Sequence, residues 1–276
     1  MPKRLRLTVL AAEEIQADLE IIANPEKARH LQRYFKTGPG EYGEGDIFIG
    51  ISVPEMRAAA KKSYPDVSLS ETSVLLKSPI HEHRQTALFI LVEKYNAACR
   101  KSPAKHNALK PNIESNTNLK ESMREKKEIV AFYLDHLKFI NNWDLTDSSA
   151  SYILGEWFLE TEPDTLGAKT IRKLAESENL WEQRISVMIT HAFIRSGIYQ
   201  PTLDLCEHFL PAAHDLIHKC TGWMLREAGK KDKSILIQFL DTHAEEMPRT
   251  MLRYSIEKLT PGEKEKYMAQ TRKRIK

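Results

Sequence analysis

Between Asn141 and Trp157 the chain reads NNWDLTDSSASYILGEW, which sets Trp143, Asp144 and Asp147 within five residues ahead of an apolar run. A carboxylate beside an indole is equipped for two kinds of work. The acid can hold a developing positive charge or orient a water, and the indole face attracts a cation. The structural alternative is plain: Asp is a common helix N-cap, and Asp144 and Asp147 both fall near an expected helix start. A buried tryptophan is also more often packing than chemistry.

The elements that would carry these groups follow from periodicity. Apolar residues recur at helical spacing almost throughout, as in Leu88, Leu91, Val92 and Tyr95, or Ile185, Met188, Ile189, Ala192 and Phe193. The best strand signal, DIFIGISV at 46–53, is short and bounded by glycine and Pro54. The fold class is therefore all-α. Five segments share one register: HEHRQTALFILV from His81, WDLTDSSASYIL from Trp143, WEQRISVMITHAFI from Trp181, LIHKCTGWMLRE from Leu216 and TMLRYSIEKL from Thr250. Four carry a base at the fourth position (Arg84, Arg184, Lys219 and Arg253), and all carry a hydroxyl two residues later (Thr86, Ser148, Ser186, Thr221 and Ser255). The last three intervals, 38, 35 and 34 residues, are those of helical hairpin repeats. Such hairpins bury their apolar faces only by stacking, which predicts one α-solenoid domain over 1–276 with equivalent positions side by side on a concave face.

In that register the second segment has lost its base to Thr146 and gained Asp147, where the other segments have Gln85, Ile185, Cys220 and Tyr254. A carboxylate there would face Arg84, Arg184 and Lys219 of neighbouring repeats and stay ionised. Trp223 follows Lys219 by one helical turn. Two indoles, one carboxylate and one guanidinium thus come from three consecutive repeats.

Composition narrows the classes. The 276 residues are 41% hydrophobic and 29% charged, with 41 Lys and Arg against 38 Asp and Glu, a net charge of +3 that permits nucleic-acid binding without demanding it. Glu13 and Glu14 cut short the apolar stretch after PKRLR, so no export signal is expected, and no run reaches the roughly 18 apolar residues of a membrane helix. Cys99, Cys206 and Cys220 form no CxxC and read as reduced thiols of a cytoplasmic protein. Residues 101–126 read as a flexible polar surface insertion, 261–276 as a solvated basic tail, and the glycine-rich stretch 36–50 as a turn-rich connection rather than a phosphate cradle. The histidines make no HExxH and no zinc spacing with cysteine, so no metal or other cofactor is assigned.

The motifs NPEKARHLQRYFK, NNWDLTDS, NLWEQRISVM and KCTGWMLREAGK, in this order from Asn24 to Lys258, resemble the AlkD-type DNA alkylation repair glycosylases. The resemblance implies a HEAT-like solenoid that excises cationic alkylpurines such as 3-methyladenine and 7-methylguanine from double-stranded DNA. It implies Asp147 as catalytic acid, Trp143 and Trp223 as aromatic walls, Arg184 as a DNA-backbone contact, and Tyr34 and Arg226 as further cleft residues. Lys219 joins the expected phosphate contacts, and the protein is expected to act as a monomer. The alternative function is a non-catalytic helical-repeat scaffold that binds DNA or a protein through the same face.

Overall fold

The computed structural model describes residues 11–101, 113–162 and 164–270. In chain order the α-helices are α1 Ala12–Ile21, α2 Pro25–Tyr34, α3 Val53–Ser63, α4 Leu69–Leu76, α5 His81–Lys101, α6 Ile113–Asp135, α7 Trp143–Asp147, α8 Glu156–Thr161, α9 Ala168–Ala175, α10 Leu180–Arg195, α11 Gln200–His208, α12 Asp215–Lys231, α13 Lys233–His243, α14 Arg249–Ser255 and α15 Pro261–Met268. A π-helical turn, Ser151–Gly155, precedes α8. The architecture is an all-α helical repeat, with no strand among the described residues. The helices gather into two compact units, Met1–Ser149 and Ala150–Lys276.

In the first unit α5 is the central rod. Every residue from His81 to Val92 is buried, because α3, α4, α6 and α7 all pack against it. In the second unit α10 packs against α9, α11 and α12, and α12 in turn against α13 and α14. Three of the five shared hydroxyls of the repeat register serve this packing. Ser186, Thr221 and Ser255 are fully buried and donate to carbonyls of their own helices, those of Gln183, Ile217 and Leu252. A small residue whose hydroxyl is satisfied within its helix lets the next helix come close without an unpaired polar group. Gly222 marks the tightest approach: a Cβ there would lie 2.4 Å from the Met251 carbonyl oxygen of α14.

The strand signal at 46–53 resolves differently. Only an isolated Ile47–Ile80 bridge forms. The backbone N–H groups of Ile49, Gly50 and Ile51 instead donate to the buried Glu82 carboxylate at 2.7–3.3 Å. Three donors with no partner strand are thus satisfied by one side chain of α5. Gly50 permits the path, with φ +86° and no space for a Cβ beside the Asn24 carbonyl oxygen.

Two expected irregular segments are partly helical. From Ile113 the supposed insertion 101–126 belongs to α6, and residues 102–112 lie outside the described ones. The α6 face against α5 runs through Ser122, Lys126, Ile129, Val130 and Tyr133, all buried, with Ser122 Oγ donating to the Ala98 carbonyl at 2.7 Å. Serine and a lysine stem fill positions where apolar residues would have announced a helix. Residues 261–268 of the supposed tail form α15, started by a Thr260/Glu263 capping box and held by Tyr267, which is 1% exposed. Residues 1–10 and 271–276, which hold the other terminal basic groups, lie outside the described ones.

Cys206 and Cys220 are buried and Cys99 is half-buried, all as free thiols. Burial, and then the neighbouring Cys220, push the Cys206 thiol well up. Among the described residues no helix is long and apolar enough to cross a membrane.

Candidate functional site

Helix α7 is only five residues long, so packing rather than propensity must hold it. Asn142 is its N-cap, accepting the Trp143 N–H at 2.8 Å, so neither Asp144 nor Asp147 has the capping role. Asn142 is buried, and its Nδ2 donates to Asp46 at 2.9 Å. Asp144, in the first turn, accepts from His81 Nε2 at 2.8 Å. His81 Nδ1 lies 3.0 Å from Asp46, whose other oxygen takes Arg84 Nη2 at 2.5 Å. The result is a buried relay, Arg84–Asp46–His81–Asp144, that ties α7 to the start of α5 and to the glycine-rich connection.

The charge state of the relay follows from its partners. Burial by itself disfavours an imidazolium, but the Asp144 charge and hydrogen bonds to Asp144 and Asp46 outweigh it, with Arg84 opposing; the His81 pKa is raised to about 9. Burial pulls the Asp46 carboxyl upward, yet its bonds to His81 and Asn142 and the Arg84 charge hold it below the ordinary carboxylate range. His81 is therefore a cationic clamp between Asp46 and Asp144. Among the described residues no cluster of His, Cys, Asp and Glu could hold a metal ion.

An aromatic column stands beside the relay. His81 stacks on Phe48 (4.4 Å between centroids), Phe48 on Phe35 (4.8 Å), and Phe35 on Trp143 (5.1 Å, 7° between planes). Tyr34, 60% exposed, meets Trp143 edge-on at 6.1 Å. One indole face is thus occupied by Phe35, and the indole is half-buried. Asp147 lies one helical turn after Trp143, half-buried, and accepts from Thr146 Oγ1 at 3.0 Å. Burial pushes the nearby Tyr133 hydroxyl up; its hydrogen bond with Ser149 opposes this, and the negative charge of Asp147 adds to it. Tyr34, Trp143 and Asp147 are therefore gathered in the first unit.

The remaining expected residues lie in the second unit, in surroundings the sequence did not announce. Arg184 is 4% exposed, and its Nη1 donates to the Leu216 carbonyl at the start of α12 at 2.6 Å. It is a fixed internal charge rather than the open phosphate contact expected of it. Its register counterpart Arg84 is likewise buried, bonded to Asp46 and to the Ser78 and Pro79 carbonyls, so it does not face Asp147 across a groove. Lys219 pairs with Asp215 at 2.8 Å, one turn away. Arg226, expected as a cleft residue, is paired with Glu227 and Glu257. Trp223 is half-buried, and its Nε1 donates to Glu227 at 3.0 Å. Burial pulls the Glu227 carboxyl up, but Lys230, Trp223 and Arg226 together hold it below its usual range. Glu227 thus fixes the edge of the indole and neutralises the cations around it.

Sequence reasoning missed Asp46, His81, Glu82 and Glu227. For His81 and Glu82 the signal was HEHR itself, a cluster of polar residues opening an otherwise apolar helix.

Comparison with known proteins bears on most of the chain. A family model described as "DNA alkylation repair enzyme" matches residues 15–259. A solved structure described as "Predicted DNA alkylation repair enzyme from Enterococcus faecalis" is similar in fold, with a TM-score of 0.61, 15% identity, and coverage of 87% of this chain and 97% of that one. No curated protein matches.

Proposed function

Because the chain belongs to the DNA alkylation repair enzyme family, we propose that it is a DNA glycosylase that hydrolyses the N-glycosidic bond of cationic N3- or N7-alkylated purines. The observation that supports this reading best is the pairing of Asp147 with Trp143 one turn apart on a short helix that a buried ionic relay and an aromatic column hold in place.

Alkylation at N3 or N7 gives the purine a formal positive charge, so it leaves without strong general-acid help. The barrier then lies at the sugar. As the bond stretches, C1′ becomes oxocarbenium-like, and a fixed carboxylate stabilises that charge and orients the attacking water. Asp147 is assigned this role. Trp143 attracts the cationic base and sugar through its ring face at about 0.5–2 kcal/mol. Neutral bases gain nothing comparable, so discrimination comes from charge. Tyr34, exposed beside Trp143, extends the aromatic wall.

The proposal includes double-stranded DNA as partner, a cytoplasmic location, a monomer, and no cofactor. Its test is release of methylated base from alkylated duplex by wild type and by Asp147→Asn. The variant is expected to lose on the order of 10²-fold in rate while still binding DNA. Equal release by both removes Asp147 from the chemistry. Binding without release in both makes the protein a scaffold.

A further inference from the structure

The cations expected to meet phosphate are largely occupied: Arg184 is buried, and Lys219 and Arg226 each have a carboxylate partner. The exposed face of α2 is different. Arg29 and Arg33 lie one turn apart, with Lys36 just past the helix end, and none of the three takes a carboxylate partner among the described residues. Arg29, Gln32 and Arg33 line one side of an open groove of about 510 Å³, whose other side is Thr37, Gly38 and Glu41 of the glycine-rich turn. Glu41 is the one carboxylate in the lining, and it is already bound to the Gly38 N–H at 3.0 Å. Two guanidinium groups on one helix face, about 5–6 Å apart at their Cβ atoms, thus stand free at a concave surface.

We infer that the groove between α2 and the turn 37–41 is a docking surface for the sugar–phosphate backbone of DNA, with Arg29 and Arg33 as its phosphate contacts. This rests on the DNA-repair reading above. Charge complementarity selects a polyanion, and planar guanidinium groups suit phosphate oxygens. The position selects nucleic acid: Tyr34, next to Arg33 in the chain, has its exposed ring against Trp143, which shares α7 with Asp147. A strand held here is delivered toward the proposed acid. Contacts of this kind set register and carry no sequence information.

The test is the salt dependence of binding to a short unmodified duplex, followed by fluorescence anisotropy. Each phosphate contact contributes close to 1 to the slope of log K against log salt. Arg29→Ala and Arg33→Ala are each expected to make the slope shallower by about 1, and the double variant by about 2, with unchanged melting curves. Arg172→Ala, which removes an exposed guanidinium already paired with Glu176 at 3.2 Å, is expected to leave the slope as it is. Unchanged slopes in the α2 variants overturn the inference even if the wild type releases methylated base. Shallower slopes without base release keep the docking surface and overturn only the glycosylase reading. Displacement of the duplex by polyglutamate at equal charge concentration would show a general polyanion site and overturn the assignment to nucleic acid.

Discussion

The relay through His81 makes stability depend on pH in a window where few other side chains titrate. The free imidazole titrates near 6.5 and the folded one near 9. The folded value is the higher, so the protonated form is favoured by folding. That contribution is complete below about pH 6.5, declines as pH rises, and is gone once pH passes about 9. At about 1.4 kcal/mol per pKa unit, the shift corresponds to about 3 kcal/mol across the window. The assay is urea denaturation followed by circular dichroism at intervals from pH 6 to pH 10, on the wild type and on His81→Gln. Other titrating groups affect both proteins, so the difference between their curves isolates the relay. The advantage of the wild type over His81→Gln is expected to shrink by about 3 kcal/mol between pH 6 and pH 9. Asp144→Asn, which removes the largest favourable influence on the imidazolium, is expected to move the decline to lower pH. Parallel curves for wild type and His81→Gln across the whole range would refute a cationic His81 and the clamp built on it.

Two further outcomes follow from packing. Phe35→Ala removes the ring between Phe48 and Trp143; thermal denaturation should report a loss of about 3–5 kcal/mol, and the Trp143 emission should shift to the red as water reaches the indole. Gly222→Ala would place its methyl group 2.4 Å from the Met251 carbonyl oxygen and 2.7 Å from Tyr254 Cβ; α12 and α14 must part, at about 1–3 kcal/mol in chemical denaturation.

Helical periodicity and the repeat register were legible in the residues because a helix repeats its apolar contacts every turn, and that repetition is written along the chain. The same register singled out Asp147 as an acid next to the one position that had lost its base, and placed Trp143 one turn before it. Register reports which face of a helix a residue occupies. It does not report what that face meets. Arg84 and Arg184 occupy the expected position, yet both turned inward, where Asp46 and the Leu216 carbonyl receive them. Partners distant in sequence decided the rest. His81 reaches Asp46 across 35 residues and Asp144 across 63, and Glu82 takes three backbone N–H groups that local pattern would have given to a strand. Each of these groups is polar and buried, so its stability depends wholly on a partner that only the folded chain brings within reach. The sequence by itself determined a stack of helices and one acid beside one indole; the tertiary structure decided which charges are spent inside and which remain for a ligand.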